Sequence, residues 1–248
     1  MKYFSFILLL LLPILMSAQE EGTIIYTETI SFSFEAPEGM EDLFKSIPKS
    51  RSSEKKLIFK DQMSLYIVHE SSESVEENEM EPDMGENVIR INFVQPDNKT
   101  YSDMAAGKIV AQQELMGKAF LIQDDIKKYN WKVTSERRQI LEYQCMKATA
   151  QDGENLITAW FTPQISLGLG PDQYNGLPGA ILMIELNDGD REIVAKSVSM
   201  EPVNVADMII PTKGKKVDRK KYEKIEKEKM EEQESFNGGT GARVIIRN

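Results

Sequence analysis

The chain has 248 residues, with 30 Lys and Arg against 40 Asp and Glu, and therefore a formal net charge of −10. An acidic chain without a basic groove is a poor partner for nucleic acid, so we expect no nucleic-acid binding. A single cysteine cannot form an internal disulfide, so stability must come from packing.

Residues 1–18 have the composition of a secretory signal peptide. Lys2 supplies the positive charge, residues 4–16 are mostly apolar, and Ala18 is a small residue at the predicted cleavage point. The apolar stretch is shorter than the roughly 18 to 20 residues of a membrane-spanning helix. We therefore expect export to the periplasm or the exterior, and no integral membrane protein. Cys145 lies far from this segment, so we expect no lipid anchor on an N-terminal cysteine.

Most of the remaining chain alternates between apolar and polar residues, which is typical of half-buried β-strands. The first strand is predicted over 22–34, with Glu28 interrupting its apolar side. A short helix over 40–47 is predicted to pack on the sheet. Further strands are predicted over 55–59, 63–68, 88–94, 99–104, 108–113, 118–123, 131–136, 139–150, 155–162, 180–186 and 192–200.

Many short strands joined by turns predict a mainly β fold. We expect a single antiparallel β domain over residues 19–212, as a curved sheet or a partly open barrel. A short N-terminal helix and a charged C-terminal helix would complete it. This order of elements resembles the open, curved sheets of periplasmic lipoprotein carriers, which wrap a helix and hold acyl chains.

Two segments are dominated by charge. Residues 70–86 carry eight carboxylates and no basic residue, which favours a solvated loop over a metal site, because the ligand spacing of an EF-hand is missing. Residues 213–248 form the predicted tail, with a charged helix over 213–234 and an edge strand over 243–247. A solvated helix is the favoured interpretation, and a docking or headgroup-binding helix is the alternative.

The sequence contains little that resembles a catalytic centre. His69 is the only histidine, and no second His or Cys accompanies it in a zinc-binding pattern. No nucleophile elbow, phosphate-binding loop or dinucleotide fingerprint is present. Cys145 alternates with neighbours of a predicted strand, which favours a buried thiol, although Lys147 two residues on keeps an activated thiol open. We therefore expect no enzyme, cofactor or metal.

A set of Gly, Pro, aromatic and strand residues resembles the GLPGLI family of secreted Gram-negative bacterial proteins, for which no activity is established. The residues that carry the resemblance are Trp131, Tyr143, Cys145, Lys147, Ala148, Ala159, Trp160, Phe161, Thr162, Gly170, Pro171, Gly176, Leu177, Pro178 and Gly179. Ala180 stands where the family motif has leucine. The Gly and Pro positions have a backbone rationale, and Pro178-Gly179 predicts a type II turn, so we interpret the motif as structural.

Two hypotheses for function follow. The first is a non-enzymatic binding or carrier module, in which an apolar cleft lined by Trp160, Phe161, Ile181 and Met183 would hold an unidentified ligand, with a lipophilic one as the best fit. The second is a cell-envelope interaction protein that serves an outer-membrane transport or assembly complex through the acidic loop and the charged tail.

Overall fold

The structure is a computed structural model that describes residues 21–35, 48–69, 96–237 and 243–246. The predicted signal peptide, the helix over 40–47, the acidic loop over 70–86 and the strand over 88–94 lie outside these residues.

The described residues are mostly β-strand, and the mainly β fold with one charged C-terminal helix is confirmed. The helix α1 spans Arg219–Asn237, and a 3₁₀ turn spans Val205–Asp207. The strands are β1 (Glu21–Glu35), β2 (Ser50–Lys60), β3 (Met63–Val68), β4 (Lys99–Asp103), β5 (Lys108–Leu115), β6 (Lys118–Asp125), β7 (Lys132–Ile140), β8 (Tyr143–Asp152), β9 (Asn155–Thr162), β10 (Ala180–Leu186), β11 (Arg191–Ser199), β12 (Lys215–Val217) and β13 (Arg243–Ile246).

All these strands belong to one large sheet that does not close into a barrel. The order is β12-β6-β5-β4-β3-β2-β1-β11-β10-β9-β8-β7, and β13 pairs with the end of β1. Neighbours are antiparallel except for β12, which runs parallel to β6. Among the described residues, no helix is long and apolar enough to span a bilayer.

Two connecting segments lie on opposite faces of the sheet. Residues 163–179, here called the loop, join β9 to β10. The loop covers the face of the sheet that carries Tyr26, Glu28 and Phe161, and we call this face the loop face. Residues 200–214, here called the strap, join β11 to β12. Because β11 pairs with β1 and β12 with β6, the strap has to cross the strands between them. It lies on the opposite face, the strap face.

The main hydrophobic core lies between the sheet and the loop. The sheet contributes Tyr26, Phe59 and Phe161, which are fully buried, and each such side chain stabilises the fold by about 1.5–3 kcal/mol through its burial. The loop contributes five buried apolar side chains to the same cluster, namely Ile165, Leu167, Leu169, Tyr174 and Leu177. The loop is therefore part of the core and fills the loop face.

The alternation predicted for β1 is present in the structure. Ile24, Tyr26 and Glu28 are all buried on the loop face. The carboxylate that interrupts the apolar pattern is thus a buried charge, and its partners are described below.

The strand predicted over 139–150 is wrong at its start. β7 ends at Ile140 and β8 begins at Tyr143, with a tight turn at Leu141 and Glu142. Leu141 adopts a φ of 54°, which Gly or Asn would normally supply in such a turn. The sequence at this turn has none of the usual turn residues, and the alternation on both sides suggests one continuous strand.

At the open edge of the sheet, β7 is interrupted by a bulge between Val133 and Arg137. The Arg137 guanidinium donates hydrogen bonds to the backbone carbonyls of Thr134 (3.1 Å) and Glu136 (3.0 Å). Two backbone carbonyl groups of the bulge thus accept hydrogen bonds from a side chain of the same strand.

The turn at Pro178-Gly179 is not the predicted type II turn. The Gly179 N–H donates to the carbonyl of Leu177 at 2.9 Å, and the Ala180 N–H donates to Ile165 rather than closing the four-residue turn. Gly179 has a φ of 150°, and a Cβ there would lie 2.1 Å from the carbonyl oxygen of Thr162. Glycine is required here because the loop passes directly against the end of β9.

We expect Gly179→Ala to destabilise the protein by more than about 2 kcal/mol, because the new methyl group would meet backbone. Gly153→Ala is the matched control, since Gly153 also has positive φ but a Cβ added there would meet nothing within 4 Å. At that position we expect a loss of about 1 kcal/mol from backbone strain alone. Urea unfolding followed by tryptophan fluorescence measures both, and equal losses would contradict the packing argument.

The start of the tail completes a second, smaller core. Val217 of β12 and Tyr222 of α1 pack against Phe120 and Ile122 of β6. The rings of Phe120 and Tyr222 meet edge to face, with centroids 5.6 Å apart. The beginning of the tail is thus fixed to the sheet, whereas the prediction described the tail as a solvated helix leaving it.

Candidate functional site

The loop folds into a small hairpin of its own. The Gly170 N–H donates to the carbonyl of Tyr174, and the Gly176 N–H donates to that of Gly168, both at 2.9 Å. Asp172 lies at the tip with a φ of 54°, a conformation that Asp tolerates better than most residues. This geometry directs one carboxylate from the loop towards the sheet.

Asp172 enters a group of charges on the loop face, in which Glu28 and Lys55 are buried and Arg191 and Asp172 are partly buried. Arg191 of β11 donates through Nε to Oε1 of Glu28 at 2.6 Å, and its Nη2 lies 3.1 Å from Oδ2 of Asp172. The Thr100 hydroxyl donates to Oδ1 of Asp172 at 2.9 Å. Lys55 lies 3.6 Å from the other Glu28 oxygen. Two cations thus compensate two carboxylates, as burial of charge demands.

The pKa values of the neighbouring groups reflect this arrangement. Burial acts to lower the pKa of Arg191, but the carboxylates of Glu28 and Asp172 outweigh it and hold that pKa well above its ordinary value. Burial, with Glu28 as a second cause, raises the pKa of Tyr66 well above its usual range. The Tyr66 hydroxyl is buried and has no hydrogen-bond partner within the described ranges. With both pKa values raised, Arg191 is protonated and Tyr66 is neutral at neutral pH.

The four residues predicted to line one cleft are divided between the two faces. Phe161 pairs with Ile181, whereas Trp160 pairs with Met183, and a bulge at Leu182 separates the two pairs. Since consecutive strand residues point to opposite faces, the first pair lies on the loop face and the second on the other. Phe161 and Ile181 are buried beneath the loop, so the predicted cleft is wrong as a single cavity.

Trp160 and Met183 are covered by a side chain of the edge strand β7. The Arg138 guanidinium lies over the Trp160 ring, 4.8 Å from its centroid, and its Nη1 lies 3.1 Å from the Met183 sulfur. Lys147, which pairs with Trp160 across the strands, contacts Glu136 at 3.1 Å. Both predicted cleft residues are therefore packed against side chains of β7 and β8.

The residues that carry the family resemblance have structural partners. The Trp131 indole donates to the carbonyl of Asn175 at 2.8 Å and ties the segment before β7 to the loop. A Cβ on Gly170 would lie 3.0 Å from both the Ile181 Cβ and the carbonyl oxygen of Tyr174, so the close approach of the loop to β10 favours glycine at this position. Pro171 accepts the N–H of Tyr174 within the loop hairpin.

Cys145 is fully buried in β8, and burial raises its pKa to about 11. The Lys147 ammonium group forms a salt bridge with the carboxylate of Glu136. A thiol with this pKa is almost entirely protonated at neutral pH and is therefore a poor nucleophile.

At pH 8 we expect Cys145 in the native protein to react with a thiol-specific disulfide reagent more than about a hundredfold more slowly than in the unfolded chain. The raised pKa favours the protonated form, so the native rate should increase as the pH rises towards 11. Stopped-flow absorbance with and without denaturant measures this difference. Rapid reaction of the native protein at pH 8 would contradict a buried thiol.

A groove of about 810 Å³ lies on the strap face, where the sequence patterns predicted no site. Its floor is formed by Ile58 of β2 with Leu65 and Ile67 of β3, which share this face by register. Ile209 and Ile210 of the strap form one wall, and they are 72% and 48% exposed. The groove is therefore largely apolar and open to solvent.

Charged side chains surround this apolar floor. Lys56, Lys99 and Lys213 line the groove together with Asp97 and Asp207, and His69 lies at the end of β3 beside them. Lys99 pairs with Asp97 at 3.2 Å. No carboxylate within the described ranges forms a salt bridge with Lys56 or Lys213, so the groove offers cations to a ligand.

The sequence patterns did not predict the groove because the residues that line it come from distant parts of the sequence. One signal was available, namely that 208–211 is an apolar run between the last predicted strand and the charged tail. Among the described residues, no three or more His, Cys, Asp or Glu side chains are grouped so that they could hold a metal ion.

The comparisons with known proteins bear on the fold and on one segment. Residues 151–183 match the model of a family described as a protein of unknown function (Porph_ging). This segment contains β9, the loop and the first half of β10, so it coincides with the part of the chain that fills the loop face. No curated protein matches the chain.

Two solved crystal structures of PNGF-II, in space groups P21 and C2, are similar to the chain at 15% sequence identity. The TM-scores are 0.50 and 0.47, and the matches cover 83% and 80% of this chain. The chain spans about a third of the length of those chains, 32% in both cases. At this identity the first match shows a shared fold and no more.

We expect Arg191→Met to destabilise the protein by about 3 kcal/mol, because it leaves the buried Glu28 and the partly buried Asp172 without their main partner. Lys196→Met is the control. Lys196 follows on the same strand and pairs with Glu54, but its side chain is 60% exposed, so we expect a loss below about 1 kcal/mol. Urea unfolding measures both variants. Similar losses would show that the buried charges do not hold the loop.

Proposed function

We propose that the protein is a non-enzymatic binding module of the cell envelope, whose ligand has an apolar chain and an anionic head. The observation that carries this proposal is the groove on the strap face. Its volume of about 810 Å³ lies within the range of small-molecule sites. Its isoleucine and leucine floor suits an acyl chain, and Lys56 and Lys213 suit an acidic head group.

The loop face offers less support for a ligand. Five apolar side chains of the loop occupy the space over Tyr26 and Phe161. The carboxylates of Glu28 and Asp172 are both bound by Arg191, which favours a structural role over acid–base chemistry. The strap face is therefore the better location for binding.

The place of action and the finer family assignment belong to the same proposal. The composition of residues 1–18 supports export to the periplasm or the exterior. Membership of the GLPGLI family is supported by the position of its motif, since Gly176 to Gly179 lie inside the segment that matches the family of unknown function.

The test uses the mature protein and cis-parinaric acid, a fatty acid whose fluorescence increases in an apolar site. We expect the protein to bind the probe and Ile67→Trp, which fills the groove floor, to weaken binding at least about tenfold. Val133→Trp is the matched control, because Val133 is a β-branched strand residue, 52% exposed, at the far edge of the sheet.

The outcomes separate the two hypotheses. Native mass spectrometry of protein purified gently from its own compartment should show a bound mass that organic extraction releases. If neither the probe nor such a mass binds, or if Ile67→Trp binds the probe as well as the control does, the groove proposal is wrong. The cell-envelope interaction protein then becomes the leading hypothesis, to be pursued by crosslinking from the exposed face of α1.

A further inference from the structure

The strongest local charge of the described chain lies where the strap meets α1. Residues 213–221 contain six basic residues and one acidic residue, a net charge of +5. With a formal charge of −10 for the whole chain, the other residues sum to −15 (−10 − 5). The segment is therefore a basic patch on an acidic protein, and we call it the basic patch.

The cations of this patch are available to a partner. Lys213, Lys215, Lys216, Lys220 and Lys221 are exposed. None of the six basic side chains makes a salt bridge with a carboxylate in the described part of the chain. Further along α1 the pattern changes, because Lys224, Lys227 and Lys229 pair with glutamates of the next turn.

The patch is held in a fixed position. Val217, at its centre, and Tyr222, just after its end, are buried against β6. A Cβ on Gly214 would lie 2.7 Å from the backbone of Phe120, so the chain passes directly along β6 at this point. The lysines between these contacts therefore point outward from a rigid support.

Two exposed apolar side chains lie beside the patch. Ile209 is 72% exposed and Ile210 is 48% exposed, and Lys213 follows three residues later. Two adjacent exposed isoleucines form a small apolar patch, and an apolar patch rimmed by polar residues is typical of interaction sites. Basic residues next to exposed apolar ones are typical of protein surfaces that bind the interface of an anionic bilayer.

We propose that the basic patch and the Ile209-Ile210 pair form a docking surface for an anionic phospholipid bilayer. The phosphate groups would bind the lysines, and the isoleucines would enter the boundary of the acyl chains. An acidic protein surface would bind the lysines, but it would need an apolar patch beside its carboxylates to cover the two isoleucines. A bilayer supplies both kinds of contact, which is why we prefer it.

This inference does not depend on a ligand in the groove. It has one geometric consequence for the groove, because Ile209, Ile210 and Lys213 also line it. Docking would turn the open side of the groove towards the bilayer.

The test is co-sedimentation of the mature protein with vesicles of phosphatidylcholine, either alone or with about one third phosphatidylglycerol. We expect binding only to the anionic vesicles, and weaker binding as the salt concentration rises. Two variants should each reduce partitioning at least about tenfold. They are Ile209→Ser/Ile210→Ser and the fourfold variant Lys215→Gln/Lys216→Gln/Lys220→Gln/Lys221→Gln.

The control removes the same number of charges elsewhere and should bind as the wild type does. It is the fourfold variant Lys49→Gln/Lys108→Gln/Lys128→Gln/Lys132→Gln, whose sites are all exposed and lie outside both the patch and α1. Absence of vesicle binding by the wild-type protein, or equal losses in the patch variant and this control, would overturn the proposal. We expect Ile67→Trp to bind the anionic vesicles as the wild type does, and this result would separate bilayer docking from occupancy of the groove.

Discussion

The contact between Arg191 and the carboxylates of Glu28 and Asp172 determines how the loop lies on the sheet. Asp172 comes from the tip of the loop, while Glu28 and Arg191 come from neighbouring strands of the sheet. A carboxylate is too costly to bury alone, so the tip can lie on the loop face only where a cation meets it. That position also brings Leu167, Leu169 and Tyr174 over the apolar strands, which joins the electrostatic constraint to the packing of the core.

The occupied loop face changes where a ligand would bind. An open sheet of this size has two faces to cover, and the chain covers them by different means. The loop packs tightly, with glycines where its backbone approaches β9 and β10. The strap crosses more loosely and leaves two isoleucines exposed above an apolar floor. Space for another molecule is therefore found beneath the strap.

Local pattern predicted much of this fold. Alternation located β3, β9 and β10 at their observed bounds, because each of these strands ends at a clear change of residue type. It failed at Leu141, where a turn forms without turn residues. It also failed at Leu182, where a bulge reverses the side-chain alternation and separates Ile181 from Met183. Neither feature has a local signal, since both depend on how neighbouring strands pair.

Local sequence pattern could not predict the candidate groove either, because the groove also depends on how strands are arranged in the sheet. Its floor, its wall and its cations come from β2, β3, β4 and the strap, which only the order of strands in the sheet brings together. Glu28 was visible in the sequence only as an interruption of the apolar side of β1, and the structure shows that it is a buried charge. The identity of its partner, Arg191, was not visible, since 163 residues separate them.

The bulge at the start of β7 affects how the protein behaves at high concentration. An edge strand with free carbonyl groups is a template on which another chain can extend the sheet, and repeated extension leads to fibrils. In β7 the Arg137 guanidinium binds the carbonyls of Thr134 and Glu136 within the bulge, and the strand bends where a new strand would have to align. Colloidal solubility of this long open sheet thus depends in part on one exposed arginine that does not line the groove.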